Sequence, residues 1–443
     1  MPEISGFPYF EVEFDKKGRV HDPEQVRGAV DGVGAGGATD LFVISHGWNN
    51  HMAEARDLYG QFFGVLRGAL DAAGAPPELA GRRFAVLAVL WPSKKFADRE
   101  LIPTGAASVG SAVSDRAVEE QLEGLRDAFD APDADAKLER ARELVPELED
   151  SADARREYAD LLRSLLAPSD EHEGEVPRAF FTVPGDTLMD RLAKPGMQAG
   201  PPAGGGLDGG GAPGGPAGSA AGLGQILGGI KGAASNLANF VTYYQMKERA
   251  GTVGRGGVNE VLRGLRQRSP GLRIHLVGHS FGGRLVTAAA DGPAGQPPVV
   301  VDTMTLLQAA FSHNGFASKW NGEDDGLFRR VVTEGRVRGP ILVSHTVNDR
   351  AVGVAYPLAS RIANQVASAL GDRNDPFGGI GRNGAQNTPE AVDAELLALD
   401  GGSYAFDGGK RIFNLHADAF ITGHSDICKP EVARAVLAAV ART

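Results

Sequence analysis

Two apolar runs, Leu41-Phe42-Val43-Ile44 and Phe84-Ala85-Val86-Leu87-Ala88-Val89-Leu90-Trp91, contain no polar residue at any position. A strand of that kind has to be buried on both faces, which happens where helices cover a parallel sheet from either side. The first run ends in a turn at Ser45-His46-Gly47-Trp48 and the second at Pro92, and the helical spacing of Leu58, Phe62, Phe63 and Leu66 lies between them. Strand, helix, strand in this order predicts a parallel crossover. A further strand is expected at residues 9–14. The pattern resumes with a helix over 258–265, a strand over 274–277, a helix over 284–290, strands over 303–307, 341–346 and 411–415, and a closing helix over 430–440. The expected fold class is α/β, a doubly wound, mostly parallel sheet.

The alternation stops between residues 93 and 239, which reads as an insertion dividing the core into parts 1–92 and 240–443. Val118, Leu122, Leu125 and Phe129, then Tyr158, Leu161, Leu162 and Leu165, recur at helical spacing among charged residues. Residues 115–175 hold 20 acidic against 8 basic side chains, which accounts for the whole net charge of −11. That charge reads as a solvated outer face. Residues 196–224 include 13 glycines and four prolines, too little apolar surface to offset the entropy of ordering, so a flexible loop is expected. After it, Leu223, Ile226, Leu227, Ile230, Leu237, Phe240, Val241 and Tyr244 form an apolar helical stripe weakened by Gly228, Gly229 and Gly232, read as core packing or as a lid over a site.

Several function classes are disfavoured. No basic patch stands out to meet nucleic acid. The start of the chain lacks the pattern of a secretory signal and no run of eighteen apolar residues occurs, so a cytoplasmic protein is expected. The single cysteine, Cys428, supplies neither an internal disulfide nor a thiolate cage. Glu171-His172-Glu173 has metal-capable atoms but no further spaced ligands, and neither HExxH nor a P-loop is present. No metal or organic cofactor is expected.

The segment His275-Leu276-Val277-Gly278-His279-Ser280-Phe281-Gly282-Gly283-Arg284 is an apolar strand, then Gly-His-Ser-Phe-Gly, then a helix. A serine projected from a sharp strand-to-helix turn needs neighbours two positions away without side chains, and Gly278 and Gly282 meet that need. The following helix start presents the Phe281 N–H to a developing oxyanion. The segment resembles the nucleophile elbow of the α/β-hydrolase superfamily of serine esterases and lipases, and the resemblance covers most of the chain outside residues 93–239.

The resemblance implies the chain order serine, acid, histidine. Asp349, in the loop after the 341–346 strand, is the implied acid; Asp302 lies before its strand, at the wrong end of a parallel sheet. His424 is preferred to His416 because it lies in a loop before the terminal helix, whereas His416 comes directly off a strand. His46-Gly47-Trp48 resembles the loop that supplies the second oxyanion donor, here the Trp48 N–H, although the bulky Trp48 departs from the family's glycine-rich version. His279 reads as a packing residue and His313 as a weak candidate for a pocket mouth. A serine at the elbow excludes the branches that use aspartate there. The expected activity is hydrolysis of a carboxylic ester, with a small-molecule or lipid ester as the substrate. Thioesterase, peptidase, acyltransferase, a lipase at a membrane surface and a catalytically silent binding fold are the alternatives. Few basic residues flank the apolar stripe, which weighs against anchoring to anionic lipid.

Overall fold

The computed structural model describes residues 2–48, 51–93, 113–166, 177–194, 228–349, 351–352, 359, 362–363, 373–407 and 409–443. The glycine-rich tract 196–224, the stripe residues Leu223, Ile226 and Leu227, and Glu171-His172-Glu173 lie outside the described residues.

The strands are β1 (Glu3–Ile4), β2 (Phe7–Glu13), β3 (Asp40–Ser45), β4 (Phe84–Leu90), β5 (Arg273–His279), β6 (Thr303–Leu307), β7 (Ile341–His345), β8 (Ala391–Glu395) and β9 (Ile412–His416). They form one sheet in the order β1-β2-β4-β3-β5-β6-β7-β9-β8. Only the β1–β2 pair is antiparallel. The protein is therefore α/β, with a mostly parallel sheet flanked by helices. The register Ser45 to Gly278 brings the ends of β3 and β5 side by side. The chain leaves β3 toward β4 on one side, while β5 begins the run to the other. That reversal opens a crevice at the carboxyl ends of β3 and β5, where ligands bind in open parallel sheets.

Both sheet faces are buried, as the apolar runs require. Leu41, Val43, Ile274 and Leu276 pack on one face, beneath helices α1 (Pro23–Ala35), α8 (Gly229–Thr252), α9 (Asn259–Arg268) and α10 (Phe281–Asp291). Phe42, Ile44 and Val277 pack on the other, with α2 (Met52–Asp71) and the C-terminal helix Pro430–Val440. Phe42 stacks on Phe84 at 5.6 Å and meets Phe63 at 5.9 Å.

The insertion forms five helices in the described residues: α3 (Asp115–Gly124), α4 (Ala134–Leu144), α5 (Ala152–Arg163), α6 (Arg178–Thr182) and α7 (Gly185–Ala193). Ser114 and Ser151 cap α3 and α5 by accepting from the N–H groups of Ala117 and Ala154. Their acidic outer face is laced with exposed ion pairs such as Arg140 with Glu157 and Arg156 with Asp186. Val118, Leu122, Tyr158 and Leu162 point inward and join the same apolar core as the sheet.

α8 packs in the core, one of its two sequence readings, and is buried well beyond its apolar stripe. It is buried at every position from 232 to 251 except Asn239 and Glu248, and it runs through the boundary expected at 239/240. Its polar side bonds to the insertion helices rather than to water: Gln121 Nε2 donates to Asn239 Oδ1 (2.8 Å), Tyr158 Oη to the Ala234 carbonyl (3.1 Å) and Arg249 to the Ala128 carbonyl (2.8 Å). Gly228 and Gly229 stand at the helix start, where glycine costs little, so the expected weakening is confined to Gly232. The described part of the apolar stripe that motivated a membrane-surface reading, from Leu237 through Phe240 and Val241 to Tyr244, is thus covered by protein. Among the described residues no helix is long and apolar enough to cross a membrane.

A turn of π-helix, Val253–Val258, joins α8 to α9 and lies against α10. A Cβ on Gly254 would stand 2.0 Å from the Leu285 carbonyl oxygen, whereas one on Gly256 would meet nothing within 4 Å. Gly254→Ala is expected to cost about 1–3 kcal/mol through overpacking, while Gly256→Ala is neutral or stabilising by up to about 1 kcal/mol. Thermal denaturation of the two variants checks this, and equal melting temperatures would contradict the close approach.

Candidate active site

Ser280 links β5 to α10 with φ 57° and ψ −124°, a left-handed backbone that a residue with a side chain seldom adopts. Its N–H donates to the Leu307 carbonyl (3.1 Å), and its own carbonyl accepts from Gly283 (3.0 Å) and Ala310 (2.9 Å), so the turn is held by β6 and by its own helix. The glycines on either side leave no room for a side chain. A Cβ on Gly278 would lie 2.3 Å from the Gly282 carbonyl, and one on Gly282 would lie 2.1 Å from the Ser45 carbonyl. Phe281 occupies the first position of α10, where an N–H has no acceptor within the helix.

Gly47 stands directly against the serine: a Cβ there would be 2.6 Å from Ser280 Cβ and 3.0 Å from its Oγ. The loop is set by His46, which is fully buried and stacks on Trp91 at 5.6 Å and 15°. His46 Nδ1 contacts the Gly47 carbonyl at 2.9 Å, its Nε2 accepts from the Trp91 N–H at 3.4 Å, and Trp91 Nε1 donates to the His46 carbonyl at 3.1 Å. Trp48 then meets Phe281 (6.0 Å) and Tyr243 of α8 (6.1 Å), and Tyr243 meets Phe281 (4.8 Å). An aromatic wall from three segments therefore borders the serine. Asn49 and Asn50 lie outside the described residues.

Asp349 is fully buried in the loop after β7, and its Oδ2 accepts from His424 Nδ1 at 2.8 Å while its Oδ1 accepts from the Val352 N–H at 2.9 Å. The loop bearing the acid is stitched to the turn leading to the histidine. Thr346 Oγ1 and the Val347 N–H donate to Asp418 Oδ1 (2.7 and 3.0 Å), and Asn348 Nδ2 donates to the carbonyls of Asp418 (3.2 Å) and Ile421 (3.0 Å). Burial pushes the Asp418 carboxyl up, but those hydrogen bonds and the neighbouring His416 outweigh it and hold it below the usual range. His279, the residue before Ser280, donates from Nε2 to the His424 carbonyl at 2.9 Å, and the two rings lie 4.9 Å apart. The histidine loop is thereby fastened to the strand that carries the serine.

Comparison of the chain with models of protein families, with curated proteins and with solved structures finds no match. The site thus rests on its own geometry. That geometry brings together Ser280, Gly47, Gly278, Gly282, Phe281 and Trp48 at one sheet edge, and joins Asp349 to His424. His416 is set apart, half exposed at the end of β9 between Glu395 (3.3 Å) and Asp418 (3.0 Å). Asp302 caps the opposite end of the sheet, accepting from the Ile274 N–H (2.9 Å) and pairing with Arg338 (3.0 Å). His313 does not line a pocket mouth; it is buried and bonded to Asn383 (3.2 Å). Asp418, Asn348 and Tyr243 had no sequence signal, because each acts through a partner far along the chain.

Burial pushes four histidines around the strand ends down: His46, His313 and His345 to about 4 and His279 to about 3. In the unfolded chain each takes up its proton near the ordinary value of about 6.5. As pH falls from there the unfolded chain binds protons first, so the stability these residues allow is complete above about pH 6.5 and is withdrawn toward pH 4. The urea midpoint is expected to fall across that window, and less steeply in His313→Asn. A midpoint level from pH 6.5 to pH 4 would contradict the burial of neutral histidines.

Proposed function

We propose that this protein is a serine hydrolase of α/β-hydrolase architecture that cleaves a carboxylic ester, or a closely related acyl bond, of a small-molecule or lipid substrate. One observation carries the reading: a serine in strained backbone at the crevice of a parallel sheet, with a buried Asp349–His424 pair whose loop is bonded to the residue beside that serine. Strain of this kind persists only where surrounding structure enforces it, and it concentrates at sites of chemistry.

In this reading Ser280 Oγ attacks the acyl carbon while His424, through Nε2, takes the hydroxyl proton. Asp349 holds Nδ1–H, fixes the tautomer and stabilises the imidazolium that forms. The N–H groups of Phe281 and Trp48 receive the negative charge on the carbonyl oxygen, and one such donor is typically worth ~10²–10³ in turnover. His424 returns its proton to the departing alcohol, and water then attacks the acyl-enzyme with His424 again as base. The aromatic wall of Trp48, Tyr243 and Phe281 suits an apolar acyl group. Tyr243 of α8 is buried against Phe281 and serves as a fixed wall of the site.

Hydrolysis of p-nitrophenyl esters of graded chain length tests the assignment. Asp349→Asn is expected to lower kcat by on the order of 10⁴ with the fold intact by circular dichroism. His424→Ala should do likewise, whereas His416→Ala should retain activity. Near-normal turnover by Asp349→Asn, or loss of activity on replacing His416 alone, would contradict these roles.

A further inference from the structure

We propose that His279 is a positioning residue, which clamps the backbone carbonyl of His424 through its Nε2–H and so fixes the imidazole of His424 relative to Ser280. The inference rests on the hydrolase reading above and deepens it. His279 is 5% exposed, and its ring makes one hydrogen bond among the described residues, from Nε2 to the His424 carbonyl; Nδ1 is buried with no partner there. A carbonyl oxygen can only accept, so the ring nitrogen that faces it must carry the proton, and the bond selects the tautomer protonated at Nε2. Burial, together with repulsion from His424, keeps the ring neutral, so no second positive charge stands beside the imidazolium when His424 takes a proton.

The geometry explains why a second fastening is needed. Asp349 grips His424 at one ring nitrogen, but Asp349 belongs to the loop after β7, two strands away from β5. Thr346 and Asn348 tie the acid's loop to Asp418 and Ile421 ahead of the histidine, and within the histidine loop Thr422 bonds to Asp426, which also pairs with Lys429. Those contacts orient the histidine relative to its acid, and none of them runs to the strand that carries the nucleophile. His279 supplies such a link, because its backbone is joined directly to Ser280 and is paired with Leu307 of β6. The clamp therefore moves with the nucleophile, and it holds the backbone carbonyl of the residue that bears the catalytic ring. A displacement of about 1 Å between base and nucleophile costs on the order of 10²-fold in rate.

A residue that merely fills space would be replaceable by any side chain of similar bulk. His279→Leu keeps bulk without a donor, whereas His279→Gln retains an N–H at similar reach. Using p-nitrophenyl esters and the full chain, His279→Leu is expected to lower kcat by roughly 10–100-fold with KM nearly unchanged, and His279→Gln to restore most of the loss. Histidine ¹⁵N NMR of the wild-type protein should show His279 as the neutral Nε2–H tautomer. The downfield proton of the His424–Asp349 bond should broaden by exchange in His279→Leu and persist in His279→Gln. Wild-type kcat in His279→Leu, a folded His279→Gln as impaired as the leucine variant, or the opposite tautomer at His279 would each overturn the proposal. If His279→Leu fails to fold, the glutamine variant and the wild-type tautomer still decide. Should the wild-type protein cleave no ester, the hydrolase reading fails, while the two NMR signatures continue to test the clamp by themselves.

Discussion

The left-handed turn at Ser280 can exist only because three segments close on it with no side chains between them. Gly278 and Gly282 let β5 fold back over the first turn of α10, and Gly47 lets the loop after β3 touch the serine itself. This arrangement depends on β3 and β5 being neighbours in the sheet with Ser45 level with Gly278. The crossover that makes them neighbours is also what opens the crevice, so one topological choice supplies both the strained turn and the space in front of it.

Around that turn the structure is organised to prevent relaxation. Every residue of α10 is buried, β6 accepts the Ser280 N–H through Leu307, and Arg284 donates to the Lys247 carbonyl of α8 at 2.9 Å. α8 in turn is enclosed by α10 on one side and the insertion helices on the other. The insertion is thus part of the support for the site: its apolar faces extend the core, and Gln121 and Tyr158 bond to buried polar atoms of α8. An unpaired polar group there would cost about 1–3 kcal/mol, so the bonds from the Gln121 amide to Asn239 and from the Tyr158 hydroxyl to the Ala234 carbonyl matter to the position of Tyr243.

Much of this was legible in the sequence. The unbroken apolar runs identify strands buried on both faces, and the Gly-His-Ser-Phe-Gly turn after one of them marks the elbow. β8 was missed because Ala391-Val392-Asp393-Ala394-Glu395 is a partly exposed edge with two carboxylates, whose strand character comes from its ladder with β9. Core packing of α8 was one of its two sequence readings, but the burial of its polar side was missed for a related reason. Asn236, Gln245, Lys247 and Arg249 look like a solvent face, yet they are buried, and the partners seen for Gln245 and Arg249 lie more than a hundred residues away. The His279 contact was equally hidden, since its acceptor is a backbone carbonyl 145 residues distant and backbone atoms leave no mark in a sequence. Side-chain chemistry was readable where it is local; where it depends on tertiary neighbours it was not.

The central claim is that Ser280 is an activated nucleophile. The most direct measurement is mass spectrometry of the folded protein after exposure to a fluorophosphonate, which reacts with activated serines. The account predicts a single adduct on the peptide that contains Ser280, absent from Ser280→Ala. No adduct on a folded protein, or an adduct that survives in Ser280→Ala, would contradict it.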